Sequence, residues 1–156
     1  MSIERVKQYF DAYGMGDRVR EFPVSSATVE LAAAALGCAG CRIAKTLSFL
    51  VDGAAVLIVA AGDARVDNGK FKTFFHTKAK MLSPDEAVSL VGHAVGGVCP
   101  FAVNGGVSTY LDISLQRFET VFPACGSANS AIELTLPELE RLSASKGWID
   151  VCKGWQ

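Results

Sequence analysis

Ile43-Ala44-Lys45-Thr46-Leu47-Ser48-Phe49-Leu50-Val51-Asp52-Gly53-Ala54-Ala55-Val56-Leu57-Ile58-Val59-Ala60-Ala61 decides the fold. Residues 43–51 and 54–61 are two β-rich runs, and Asp52-Gly53 between them is the dipeptide that suits a two-residue hairpin turn. Side chains alternate across a strand, so Ile43, Lys45, Leu47, Phe49 and Val51 share one face. Ala44, Thr46, Ser48 and Leu50 form the other, less apolar face. Lys45 therefore points the way the core residues point. A buried ammonium is costly unless it is paired. Either the lysine has a function there, or its head snorkels to water from the start of the strand.

Outward from this hairpin, helices and strands interleave. Ile3, Val6, Phe10 and Tyr13 are at helical spacing, with Gly14 as a stop. An alanine-rich helix is expected from about Ala27 to Leu36, capped by Ser25 or Ser26 and ended by Gly37. After a Gly62-Asp63 turn, a helix carries Phe71, Phe74 and Phe75 on one face. Ser83-Pro84-Asp85-Glu86 is a capping box with proline in the first turn, and Gly92 ends its helix. Residues 95–106 are glycine-rich, contain Pro100, and read as irregular. Strands are expected near 107–111, 119–124 and 130–134, a helix from Thr135-Leu136-Pro137-Glu138 to about Ser143, and a short strand over Trp148 to Cys152. The class is α/β or α+β with an antiparallel hairpin.

Bulk properties narrow the functions. A chain of 156 residues suits one domain spanning 1–156. No apolar run is long enough for a bilayer, and the first residues lack a signal-peptide core, so the expected location is the cytoplasm. Five cysteines give no even disulfide framework, which fits reduced thiols. A net charge of −1 argues against tight, nonspecific nucleic-acid binding. Locally, Arg65, Lys70, Lys72, Lys78 and Lys80 cluster against Asp67, either as a solvated face or as a phosphate footprint.

Three further places are chemically suggestive. Gly96-Gly97-Val98-Cys99-Pro100 offers close backbone approach and N–H groups for a carbonyl or an oxyanion, though such turns are often only turns. Cys99 is a nucleophile only with a base beside it. Nothing in sequence puts His76 or His93 there, so a small pocket-lining residue is the preferred assignment. Cys38-Ala39-Gly40-Cys41 has redox spacing but follows a helix and precedes a strand, the reverse of the thioredoxin order, and no second ligand pair completes a zinc site. Gly126-Ser127-Ala128-Asn129-Ser130 is a polar turn, serving as a hairpin loop or offering groups to a ligand.

Together these pieces resemble the YbaK/ProX family of free-standing aminoacyl-tRNA editing domains, which is similar to the editing insertion of bacterial prolyl-tRNA synthetase. The resemblance covers roughly residues 20–140. It rests, in order, on Thr28 to Gly37, Ile43-Ala44-Lys45-Thr46-Leu47, Gly62-Asp63-Ala64-Arg65-Val66-Asp67, Gly96-Gly97-Val98-Cys99-Pro100-Phe101 and Ala124-Cys125-Gly126-Ser127-Ala128-Asn129. It implies a mixed, largely antiparallel curved sheet with flanking helices, and hydrolysis of the ester joining a wrong amino acid to tRNA. It implies that Lys45 orients the substrate end, and that the loop Gly96, Gly97, Val98, Cys99 and Pro100 binds the ester carbonyl. Thr28, Thr46, Phe101, Asp112, Gly126, Ser127 and Asn129 are the implied substrate neighbours. The implied partners are mischarged tRNA, through its aminoacyl-adenosine end, and an aminoacyl-tRNA synthetase; neither DNA nor a membrane is expected. No metal or organic cofactor is implied. Two departures bear on the pocket: Ala102 where relatives often have glycine, and Ala128-Asn129 where many carry proline, histidine or arginine. The rival classes are a non-catalytic module of the same fold and a thiol protein using Cys38 and Cys41.

Overall fold

The computed structural model describes residues 2–155. The hairpin forms in the expected register. Strands β2 (Ile43–Val51) and β3 (Ala54–Ala61) pair antiparallel from Val51 opposite Ala54 to Ala44 opposite Ala61. Asp52 and Gly53 take φ of 50° and 79°, as a type I′ turn requires. Beside them, β5 (Ser108–Asp112) runs parallel to β3, and β6 (Thr120–Pro123) runs parallel to the start of β2. Two-residue pieces β8 (Leu134–Thr135) and β9 (Trp148–Ile149) close the edges, giving the order β8-β6-β2-β3-β5-β9. The fold is mixed α/β, with its longest pairing antiparallel.

Helix α1 (Ser2–Asp11) lays Val6 and Phe10 on the core, but Tyr13 lies past its end and is exposed. Helix α2 (Val29–Leu36) is capped by Thr28, whose hydroxyl accepts from the Leu31 N–H at 3.2 Å. The expected caps, Ser25 and Ser26, instead lie in an extended approach tied to the Ala128 carbonyl. Gly37 closes α2 at φ 69°. Helix α3 (Asn68–Phe75) buries Phe71 against Phe49 at 4.9 Å, while Phe74 stays 41% exposed. The Ser83 and Thr135 capping boxes both form, opening the short α4 (Pro84–Glu86), which runs on into a π-helical turn, and α5 (Leu136–Leu142).

Two expected strands are each divided. Residues 130–134 split into β7 (Ser130–Ala131), which pairs with β1 (Arg20–Glu21), and β8, which pairs with β6. Residues 148–152 split likewise: β9 joins β5, while β10 (Cys152–Lys153) pairs with β4 (Arg65–Val66). In both cases one strand-like run serves two partners, which periodicity does not register.

The main core gathers Ile58, Ala60, Phe71, Phe101, Leu111 and Leu139, and a smaller one on the other side holds Ala55, Leu57, Leu82 and Val91. Apolar cover on both sides explains why β3 is buried almost throughout. Gly62 follows β3 at a backbone crossing: a Cβ there would stand 2.1 Å from the Gly40 carbonyl oxygen. Gly53 has positive φ but open space around it. Gly62→Ala is therefore expected to cost about 3 kcal/mol through overpacking. Gly53→Ala should cost only about 1 kcal/mol, through left-handed backbone alone. Urea unfolding of the two variants checks the order, and equal losses would contradict it.

Candidate functional site

Four distant segments converge on one cleft of about 530 Å³. Its walls are the approach to α2 (Ser26 to Val29), the first half of β2, the loop residues Gly96 and Val98, and the late segment with Ser130 and Ala131. Met81 and Val95 stand at its border, 59% and 65% exposed. Such volume and mixed lining are usual for a small-molecule site.

Close backbone packing makes the convergence possible. A Cβ on Gly97 would lie 2.7 Å from the Ser127 nitrogen and 2.8 Å from the Gly126 carbonyl carbon, so the two loops interlock there. Gly96, at φ 93°, faces the Ala27 and Ala128 methyl groups at 3.5 and 3.6 Å from where its own Cβ would be. The Gly97 N–H closes a turn on the Ala94 carbonyl at 3.0 Å. Gly97 is therefore a packing glycine, and Gly96 and Val98 are the loop residues in the cleft wall.

Lys45 is half-buried on the core-facing phase of β2, as alternation requires. Its ammonium donates to the Gly62 carbonyl at 3.3 Å and to the Ala64 carbonyl. Burial holds it below the ordinary lysine value, opposed by Cys152 and Asp63 nearby. The turn it grips is fixed in turn by Asp63, whose carboxylate takes a two-pronged pair from Arg117 at 2.6 and 3.0 Å. That pair, above all, keeps the Asp63 carboxyl below its usual range. Lys45 thus borders the same cleft as Gly96 and Val98, with its charge compensated by carbonyl dipoles on the β3–β4 turn.

Thr46 lies in the cleft wall, and its Oγ1 is buried with no hydrogen-bond partner among the described residues. Thr28 is both cap and wall. The other expected neighbours do structural work. Phe101 is fully buried, its ring 4.8 Å from that of Phe10. Asp112 is fully buried and accepts from the Ser114 and Val151 N–H groups at 2.9 and 3.0 Å. Asn129 donates to the Phe22 carbonyl at 3.0 Å and accepts from the Ser127 hydroxyl at 3.0 Å, lacing the late loop to the approach of α2. Gly126, at φ 92°, packs against the backbone of Ser2. Ala102 holds φ 52°, a conformation that glycine adopts without strain.

Cys99 does not line the cleft. It is fully buried in the main core, and burial pushes its thiol up to about 12. His93 does stand beside it, with Nε2 3.6 Å from the Cys99 Sγ and 2.8 Å from the Phe101 carbonyl oxygen. The sequence gives no sign of this pairing, although six-residue spacing across a tight loop permits it. A thiol held protonated in the core is a poor nucleophile.

Of the cationic cluster, Lys70 is occupied by Asp150 at 2.9 Å and the Cys152 carbonyl at 3.0 Å, and Arg65 lies on the β4–β10 pair. Lys72, Lys78 and Lys80 are exposed without an ion pair among the described residues, and Lys80 adjoins Met81 at the cleft border. Sequence reasoning missed Ser26, Ala27, Ser48, Val95, Phe122 and Ala131 in the walls. Their small or apolar character carries no chemical mark. Cys38 and Cys41 are free and half-buried. Among the described residues no group of three possible metal ligands forms, and no helix is long and apolar enough to cross a membrane.

Residues 24–142 match the aminoacyl-tRNA editing domain family. The chain is 54% identical to the uncharacterized protein YwhH of Bacillus subtilis (strain 168), over the whole of both chains. A solved structure described as that of a candidate trans-editing enzyme for prolyl-tRNA synthetase is 31% identical, with a TM-score of 0.88 and 98% of each chain covered. Another, of a hypothetical protein, is 28% identical with a TM-score of 0.84, covering 96% of this chain and 99% of that one.

His93 offers a measurable signature of this architecture. Burial, ahead of the opposing Phe101 carbonyl and the reinforcing Arg5, holds it below the ordinary histidine value. The unfolded chain then binds a proton that the native one refuses. Its stabilising effect is complete above the unfolded value of about 6.5 and is lost as pH falls below it. The melting temperature should drop between about pH 7 and pH 5, and His93→Gln should flatten that slope. A wild-type profile flat across this window would contradict the assignment.

Proposed function

The chain belongs to the aminoacyl-tRNA editing domain family, and from that premise we propose that residues 1–156 act as one domain that hydrolyses the ester of mischarged aminoacyl-tRNA. The observation that carries this is the convergence of the Lys45 strand, the Thr28 cap, the Gly96–Val98 loop and the Ser130 segment on one cleft.

In this scheme water is the nucleophile, in keeping with the core-bound Cys99 thiol. The Gly96 and Val98 amides take the ester carbonyl and the negative charge it develops. Lys45 holds the substrate end of the tRNA from the cleft wall. Lys78 and Lys80, with Lys72, steer the polyanion towards the mouth. Arg65 and Lys70 serve mainly the β4–β10 corner.

The substrate we favour is tRNA for proline carrying alanine or cysteine. Ala27, Ala44, Ala124 and Ala131 line the cleft with apolar methyl groups, so selection there works by size, and a small side chain is the one that fits beside the tRNA end. The likeness to a candidate trans-editing enzyme for prolyl-tRNA synthetase points the same way, and a synthetase is the natural partner of such an activity. The proposed location is the cytoplasm, where these tRNAs are charged. A second reading, a non-catalytic module that binds tRNA or a synthetase, draws on one fact: the Lys45 ammonium engages Gly62 and Ala64 rather than the Gly96–Pro100 loop.

A panel of mischarged tRNAs separates the two. Wild type should release alanine or cysteine from tRNA for proline. Lys45→Ala should lower that rate on the order of 100-fold with an unchanged melting curve. An unaltered rate rejects the role of Lys45. A wild type inert on every charged tRNA favours the binding module.

A further inference from the structure

Strand β2 lacks a backbone neighbour over a short interval, and that interval is in the cleft. On the edge away from β3, β6 accompanies β2 only at Ile43 and Ala44. Further along, the Leu50 N–H donates to the Lys80 carbonyl at 2.8 Å and the Leu82 N–H donates to the Ser48 carbonyl at 3.1 Å. Backbone groups repeat their direction every second residue of a strand. The N–H and C=O of Thr46 therefore leave by this same edge, between the two partners. They meet no backbone partner among the described residues, and the Thr46 hydroxyl beside them is buried and unpartnered too. β6 does not extend to cover them, because the chain turns away through Ala124 to Gly126, which has φ 92°. Buried polar groups of a folded chain are nearly always paired, so the orphan Thr46 hydroxyl, with two unpaired backbone groups of the same half-buried residue beside it, points to a ligand.

We infer that the aminoacyl group of the substrate completes the sheet at Thr46. Two residues facing each other in a hydrogen-bonded antiparallel pair exchange both of their bonds. An aminoacyl ester is one such residue. Its α-ammonium donates to the Thr46 carbonyl, and its ester carbonyl accepts from the Thr46 N–H, between β2 and the Gly96–Val98 loop. The Thr46 hydroxyl accepts a second ammonium hydrogen. In this pose the amino acid is read by its backbone, which every amino acid shares, while its side chain meets the alanine-lined wall. The cleft then requires a free α-amino group and tests only the bulk beyond it.

This inference rests on the editing reading, and two measurements on the wild-type protein keep their failures apart. The first compares alanyl- and propionyl-tRNA for proline, each rate divided by that ester's spontaneous hydrolysis. Propionyl lacks only the amino group, and kcat/KM should fall on the order of 100-fold. Equal normalised rates overturn the inference while leaving the activity standing. The second follows backbone amide NMR signals while a hydrolysis-resistant, amide-linked alanyl-adenosine is added. The Thr46 amide should move downfield and gain protection from hydrogen exchange. Responses at Gly96 and Val98 with none at Thr46 overturn the bridge. Silence from all cleft amides, with no deacylation, overturns the editing reading and the inference with it.

Discussion

Asp52 and Gly53 both sit at positive φ, and the turn they make locks Val51 against Ala54. Counting back along the ladder, it also locks Lys45 against Ala60 and Thr46 against Val59. A slip of one residue would turn every β2 side chain to the opposite face. Lys45 would leave the Gly62–Ala64 turn, and Thr46 would point its backbone into β3 rather than into the cleft. The rest of the site is built on this register: β6 and the Lys80–Leu82 segment flank β2, and the cleft is the interval they leave.

Two kinds of contact then hold the loops in place. One is backbone on backbone, with Gly97 against Gly126–Ser127 and Gly62 against Gly40. The other is polar lacing onto main chain: Asn129 to the Phe22 carbonyl, the Ser26 N–H to the Ala128 carbonyl, and the Asp112 carboxylate to two amides. Both are short-range and directional, which suits a site that must hold amide groups at fixed positions. The Asp63–Arg117 pair adds a charged brace on the turn that Lys45 grips, with the guanidinium also 4.9 Å from the Phe118 ring and 5.1 Å from that of Trp155.

Local chemistry made much of this legible. The Asp-Gly hairpin, both capping boxes, the glycine stops and the irregular stretch over 95–106 follow from dihedral preferences of single residues. Lys45 stood out because a charge occupied an apolar phase. The α2 cap was misassigned to Ser25 or Ser26 instead of Thr28, because three hydroxyl residues within four positions compete and only the Ala128 contact removes two of them. Phe101 and Asp112 were expected near substrate and are instead core and brace. Such roles depend on what lies across the fold, as do the His93–Cys99 contact and the interval beside Thr46. Each joins elements whose proximity no periodicity encodes.

The alanine walls have an evolutionary consequence. Ala27 and Ala124 are wall side chains that are not buried, so their enlargement by one or two carbons shrinks the chamber without crowding the core, whereas Ala44 and Ala131 are only 2% exposed. Gly97 and Gly62 permit no such change, since any Cβ there strikes main chain. Drift in selectivity within this lineage is thereby channelled into a few tolerant positions. A paralogue can acquire a new preference by single-codon steps while the interlocked glycines remain frozen.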